Sequence, residues 1–312
     1  MFSDLEFVYY GTSELAAIIL NGLLEAGARP SLVVSTSLKP SGRGLKLIPT
    51  PVSALAQDKK LSLLEVKTLK SPDLEKLLAI SQTRLAVLAA FGKIIPRSVL
   101  DIYPKGIVNI HPSLLPLYRG PSPIQYAMRD GATETGVSLI VLDEQVDHGP
   151  ILAQEKCPIT NMDDALSLSQ KLAELSVKLL LQTLPSYLTG SLSPVPQDHS
   201  RATFTKMITR DDGQADFKKS AGEINNQRRA FTPWPGLWTM WQGKRLKLID
   251  TAVLPDYAAS AGQVELSDGK LLIGCGQGGL IINSLQLEGG KVLTANEFIR
   301  GYSAIIKAQL PS

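Results

Sequence analysis

The sequence predicts an α/β chain, a doubly wound and mostly parallel sheet followed by a smaller barrel of short strands. Three observations carry this. Short apolar runs alternate with helix-period segments through the first half of the chain. After residue 200 the pattern changes to short strands separated by Gly-rich turns. Between the two lies a Pro- and Ser-rich stretch, and 312 residues is an ordinary length for two domains.

The elements follow in order. Glu6–Tyr10 reads as a strand, and Ser13–Leu24 as an apolar helix with Ser13 placed to cap it. Ser31–Ser35 is a second strand, Val52–Lys60 a helix, Leu61–Val66 a third strand and Pro72–Ile80 a further helix. Leu85–Ala90 is a continuous apolar run, the form taken by strands buried on both faces of a parallel sheet. Gly106–His111 is a strand that ends in polar residues. This β-α-β alternation is Rossmann-like, and such sheets bind ligands beyond the carboxyl ends of their strands. Glu134–Leu142 and Gly149–Cys157 are strands joined by the polar segment Asp143–His148, and Asp163–Leu184 is a long amphipathic helix. Pro185–Ser200 reads as a linker. Beyond it stand a short helix, Ser220–Phe231, and strands at Leu237–Trp241, Lys244–Asp250, Gly262–Leu266, Lys270–Gly274 and Leu280–Gln286. A small barrel of the oligonucleotide-binding (OB-like) kind is one arrangement of such strands. The expected division is therefore 1–184, a linker 185–204, and 205–312.

Composition narrows the function. No apolar run reaches the ~18 residues that span a bilayer, and the N-terminus lacks a cationic segment followed by an apolar stretch. Cys157 and Cys275 form no metal-like pair, and a reducing cytoplasm is the expected compartment. Residues 1–200 hold 18 Lys/Arg against 19 Asp/Glu, and residues 201–312 hold 14 against 10. The basic excess of the second part suits an anionic partner such as RNA, or an inert basic surface. Gly11-Thr12-Ser13 follows the first strand, but no G-x-G-x-x-G and no phosphate-loop motif occurs. That disfavours nicotinamide and nucleoside-triphosphate chemistry. No zinc-ligand spacing occurs, and no metal is expected.

Three histidines limit imidazole chemistry to His111, His148 and His199, of which His199 falls in the linker. Asn109 and His111 are two apart on one strand, so their side chains share a face at its carboxyl end. A carboxylate against that imidazole would orient it, and Asp147 lies in the loop after the following strand. An amide and a protonated imidazole together could stabilise a negatively charged tetrahedral intermediate. A polar strand cap and a turn-forming Asp are the plainer alternatives. Between these residues, 112–125 holds four prolines and a glycine, a stiff loop of the kind that positions ligands.

The pattern Asn109-x-His111-x-Ser113-Leu114-Leu115-Pro116, then Arg119-Gly120 and Asp147, resembles the 10-formyltetrahydrofolate-dependent formyltransferases along essentially the whole chain. Within that family it resembles the members whose acceptor is the amine of initiator methionyl-tRNA. The loop Lys39–Val52 looks like their tRNA-contacting insertion, and Arg229–Gly236 like the opening of their C-terminal domain. The resemblance implies Asn109, His111 and Asp147 as catalytic residues, and Ser113, Leu114, Leu115 and Pro116 as a folate-binding strip. It implies a pteridine pocket at Phe91 and Gly92, and no metal. Arg43 and Lys46 of the insertion, with Arg228, Arg229, Lys244 and Arg245 of the basic second domain, are the candidate tRNA contacts. Trp234, Trp238 and Trp241 are better read as packing residues than as base-stacking platforms. A monomer is implied. Two departures stand out: Ser13 in the first turn where proline is commoner, and Asp147-His148-Gly149 where Asp-Thr-Gly is usual. The competing readings are a formyltransferase for another amine, such as an amino-sugar nucleotide or glycinamide ribonucleotide, and a non-catalytic RNA-binding protein.

Overall fold

A computed structural model describes residues 5–37, 39–41, 46–70, 78 and 83–311. The chain forms two compact units: 1–123, 134–158 and 168–206 make the first, and 124–133, 159–167 and 207–312 the second.

In the first unit, strand β1 (Val8–Gly11) leads into helix α1 (Glu14–Glu25), and the Ser13 hydroxyl accepts from the Ala16 amide as its cap. Strand β2 (Leu32–Thr36) follows. Next come two short strands, β3 (Lys39–Ser41) and β4 (Lys46–Ile48), paired antiparallel. The stretch expected as one flexible loop therefore has a paired stem. Helix α2 (Pro51–Asp58) is capped by Thr50 with proline at its first position, where no amide hydrogen is needed. Strands β5 (Leu63–Val66) and β6 (Ala86–Ala89) lead to the one-turn helix α3 (Arg97–Leu100) and strand β7 (Ile107–His111). The helix expected over Pro72–Ile80 lies outside the described residues except for Leu78, which is helical. Helix α4 (Pro123–Arg129), which falls in the second unit beyond Pro123, precedes strands β8 (Glu134–Val141) and β9 (Ile151–Pro158) of the first, and helix α5 runs from Ala165 to Thr189, in the first unit from Leu168 on.

The sheet order is β5-β2-β1-β6-β7-β8-β9. The first five strands are parallel, and β8 and β9 run antiparallel at the edge. The short connection from β8 to β9 allows only a hairpin, whereas the inner strands are joined by helical crossovers. Strand β7 thus has neighbours on both sides, and its residues are all buried.

Two expectations about the connecting segment change. Pro185 does not end α5, which continues for a further turn. Tyr187 anchors that turn, its hydroxyl donating to the Lys105 carbonyl at 2.7 Å, so tertiary contact offsets the backbone bond that proline removes. Nor are residues 195–205 a loose tether. Val195 pairs with Ile151, and Thr203 and Thr205 pair with Arg119 through backbone bonds of 2.7–2.9 Å.

The second unit carries helix α6 (Ala221–Ala230), closed at its start by a reciprocal capping box between Ser220 and Glu223. Its strands are β10 (Leu237–Trp241), β11 (Lys244–Leu254), β12 (Val264–Ser267), β13 (Lys270–Gly274), β14 (Gly279–Leu287) and β15 (Val292–Thr294). They form one antiparallel sheet ordered β10-β11-β14-β13-β12, with β15 beside β14, around a core that includes Phe217, Ile224, Trp241, Leu248, Ile282 and Phe298. This is the small barrel-type architecture expected. Strand β11 runs four residues beyond the expected Asp250, across a bulge, because β14 supplies ladder partners as far as Leu254. Helix α7 (Ala295–Gly301), which the sequence reading missed, opens with a second capping box, Thr294 with Glu297. The edge of β10 is covered by Ala215, whose amide donates to the Trp238 carbonyl, and the edge of β12 by residues 307–308.

Among the described residues, no helix is long and apolar enough to cross a membrane.

Candidate active site

Asn109 and His111 leave the same face of β7 at its carboxyl end, as their spacing requires, and are 6% and 4% exposed. Asp147 reaches them from the β8–β9 loop. The Asn109 Nδ2 donates to Asp147 Oδ1 at 3.2 Å, and His111 Nδ1 lies 3.4 Å from the same oxygen. The other carboxylate oxygen accepts from the Gly120 amide at 2.8 Å. The stiff loop 112–122 turns back over the ring, and its Tyr118 carbonyl lies 2.9 Å from His111 Nε2.

Both ring nitrogens of His111 therefore face acceptors, a carboxylate and a carbonyl. A neutral imidazole presents one hydrogen and one lone pair, and satisfies only one of the two. Asn109 differs in that it spends one of its two amide hydrogens on Asp147. Asn109 thus retains a hydrogen to offer, while the two ring nitrogens of His111 face the Asp147 carboxylate and the Tyr118 carbonyl.

The loop geometry is held against local preference. Tyr118 (φ 59°) and Asp147 (φ 50°) both occupy the left-handed region, at a cost of about 1–2 kcal/mol each. Gly120 and Gly149 are fixed by space. A Cβ on Gly120 would stand 2.8 Å from the Thr205 carbonyl oxygen, and one on Gly149 would stand 1.9 Å from that of Val141. Glycine at these two positions lets the loops lie close enough for Asp147 to reach β7.

The histidine beside Asp147 turns away from it. His148 Nδ1 pairs with Asp143 Oδ2 at 2.6 Å, and its ring stacks on His199 with centroids 4.0 Å apart. His199 is solvent-exposed as expected, yet its Nδ1 receives Arg119 Nη2 at 2.8 Å. The sequence reading missed Arg119 as a buried residue and Gln197 altogether. Arg119 donates twice to Gln197 Oε1, and Gln197 Nε2 donates to the carbonyls of Asp147 and Gly149. A glutamine in a polar, Pro-rich stretch has no local signal; the proline on either side of Val195 was the only hint of rigidity.

The strip Ser113–Pro116 follows directly on His111. Ser113 is fully buried, its hydroxyl donating to Leu117 O and its carbonyl accepting from Ser138. Leu115 is also buried, while Leu114 and Pro116 are half-buried. Phe91 is buried at the carboxyl end of β6, where its carbonyl accepts from Thr12. Gly92 is exposed with φ 73° and open space beside it.

The expected RNA contacts fare unevenly. Arg43 lies outside the described residues; Lys46 begins β4. Lys244 is exposed. Arg245 is half-buried, with its guanidinium 4.4 Å from the Trp238 ring. Arg228 is half-buried beside Asn225. Arg229 is buried rather than presented at the surface. It is 6% exposed, and its guanidinium donates to the carbonyls of Thr160 and Asp163 and to Asn226 Oδ1. Burial holds its pKa below the ordinary arginine value, since desolvation disfavours the cation. Trp238 and Trp241 are buried packing residues, whereas Trp234 is 57% exposed. Among the described residues, no three His, Cys, Asp or Glu side chains converge as metal ligands would.

Comparison with known proteins identifies the family. Residues 6–184 match the family described as formyl transferase, and residues 207–303 match the formyl transferase C-terminal domain. The methionyl-tRNA formyltransferase of Geobacter sulfurreducens is 37% identical over 96% of this chain and 95% of its own. That of Roseiflexus sp. is 40% identical over 95% and 92%. Among solved structures, an N-formyltransferase from Helicobacter canadensis in complex with folinic acid and dTDP-3-aminofucose superposes with a TM-score of 0.66. It is 18% identical and covers 88% of this chain and 97% of its own. HypX from Aquifex aeolicus in complex with tetrahydrofolic acid gives 0.62 at 18% identity, over 97% of this chain and 48% of its own. At such identities the structural likeness speaks for the fold, while the matched segments and the sequence relatives cover nearly the full length. The chain belongs to the formyl transferase family.

Proposed function

We propose that this protein transfers the formyl group of 10-formyltetrahydrofolate to the amine of initiator methionyl-tRNA. The observation that carries the chemistry is the Asn109–His111–Asp147 cluster at the carboxyl end of β7, in which Asn109 and His111 are buried and Asp147 is partly so. Relatives named for this reaction, 37–40% identical along nearly the whole chain, support the acceptor. The likeness to amino-sugar formyltransferases is confined to fold at 18–19% identity.

The folate supplies a formyl carbon bonded to a nitrogen that can leave. At the end of β6, Phe91 and Ile95 belong to a buried apolar cluster against which Leu142 packs, and the backbone at Gly92 is open; this end would take the folate's ring. The strip Ser113–Pro116, pinned by Ser138 and Gln154, would form the adjoining wall.

In the reaction the neutral amine forms a bond to the formyl carbon and the bond to the folate nitrogen breaks. One proton leaves the amine and one arrives on the folate nitrogen, so the site supplies no net acid or base. Asn109 offers its second amide hydrogen to the carbonyl oxygen as charge develops there. A protonated His111 would add positive charge beside it, with Asp147 against both residues.

For RNA, the loop 39–52 with Arg43 and Lys46 would meet the acceptor end. Lys244, Arg245 and Arg228 of the second unit would meet phosphates. We take 1–184 as the catalytic domain, 185–204 as the connecting segment and 205–312 as an OB-like RNA-binding domain of a cytoplasmic monomer. The test is transfer of labelled formyl from 10-formyltetrahydrofolate to methionyl-tRNA, with uncharged tRNA, an amino-sugar nucleotide and glycinamide ribonucleotide alongside. Label on methionyl-tRNA alone is expected; label on a small amine alone would overturn the acceptor.

A further inference from the structure

The imidazole of His111 is held from both sides by residues in left-handed backbone, Tyr118 through its carbonyl and Asp147 through its carboxylate. One segment, 197–205, grips both. The Tyr118 amide donates to Thr203 Oγ1 at 2.8 Å, and the Asp147 carbonyl accepts from Gln197 Nε2 at 2.9 Å. Gln197 is 5% exposed, and all four of its hydrogen-bonding positions are used. Its Oε1 accepts from Arg119 Nε and Nη2 at 3.2 and 2.6 Å, and its Nε2 donates to Asp147 O and to Gly149 O at 2.7 Å.

This arrangement has one orientation. Arginine has no acceptor and carbonyls have no donor, so the amide oxygen must face Arg119 and the nitrogen must face the loop. The two carbonyls bracket His148, so a single side chain fixes both ends of the turn that aims the Asp147 carboxylate. Methionine would fill the space without either bond. Glutamate would keep the pair with Arg119 and turn both loop-facing donors into acceptors.

The geometry points to Gln197 as a positioning residue of formyl transfer: anchored by Arg119, it sets the Asp147–Gly149 backbone so that Asp147 meets Asn109 and His111. The inference rests on the formyl-transfer reading, and its test separates the two. The full chain is compared with Gln197→Met and Gln197→Glu in two measurements. One is steady-state transfer to methionyl-tRNA; the other is 15N NMR of the histidine rings, of which there are three. We expect kcat to fall about tenfold or more, as misplacement of a catalytic group by a fraction of an ångström requires. The KM values should stay within about twofold, and the His111 ring resonances should move. Gln197→Glu is decisive should the methionine variant fail to fold, because a merely structural clasp through Arg119 survives it. Unchanged kcat in the glutamate variant, or unmoved His111 resonances in it, would overturn the inference. A wild-type protein that transfers nothing to methionyl-tRNA would instead defeat the functional reading, and the ring resonances would still decide whether Gln197 positions His111.

Discussion

Replacing Gly149 with alanine tests whether the β8–β9 loop is a precision part of the site. The backbone places the new methyl 1.9 Å from the Val141 carbonyl oxygen, whereas real Cβ contacts essentially never fall under 3.0 Å. The gap must therefore open by at least 3.0 − 1.9 = 1.1 Å. Val141 pairs with Val108 in the sheet, so the loop moves and the strand does not. Asp147 lies two residues away and its carboxylate makes three contacts of 2.8–3.4 Å. A shift of that size breaks at least one of them. Misplacement by about 1 Å costs on the order of 10²-fold in rate, equivalent to about 2.7 kcal/mol of transition-state stabilisation. Steady-state formylation of methionyl-tRNA should thus show kcat reduced about 100-fold, while binding of a folate analogue, read by fluorescence, is retained. A folded Gly149→Ala protein with wild-type kcat would mean that the loop does not aim Asp147, and the reasoning about the cluster would fail with it.

Asn109→Ala removes the amide donor of the cluster, and should lower kcat by about 10²–10³ with little change in either KM. A loss appearing wholly in KM would argue for a binding role. Arg229→Met removes the buried hydrogen bonds to the Thr160 and Asp163 carbonyls and to Asn226 Oδ1, a cost of about 2–4 kcal/mol; calorimetry should find the second unit destabilised while KM for tRNA is unmoved. Burial pushes the Cys275 thiol up to about 11, so mass spectrometry after alkylation at pH 8 should find it unmodified in the native protein and modified once unfolded. The Thr294 amide and hydroxyl hold the Glu297 carboxyl below its ordinary 4.5. A group depressed on folding stabilises the protein above its unfolded pKa and loses that contribution as pH falls through the folded value. Urea midpoints of the second unit should accordingly fall below pH 4.5, and less steeply in Glu297→Gln.

The division between what the sequence determines and what the fold decides follows the range of the forces involved. Strand and helix periods, the Ser13 and Ser220 starts of helices, and the shared face of Asn109 and His111 depend on residues within a few positions of one another, so they were legible in the chain. So was the site as a motif, because its three residues and the proline-rich loop between them fall within 39 positions of sequence. The antiparallel edge, the continuation of α5 through Pro185 and the full length of β11 depend on neighbours brought in from elsewhere, and were not. The same holds inside the site. Only the folded chain brings the Tyr118 carbonyl to one nitrogen of His111 while Asp147 faces the other. Only folding takes Arg229 out of solvent and carries Gln197 across 50 residues to the back of Asp147. Charge and hydrophobicity identify which residues can do chemistry. Which of them are free to do it depends on where burial and hydrogen bonds have already committed each polar group, and that is settled only in three dimensions.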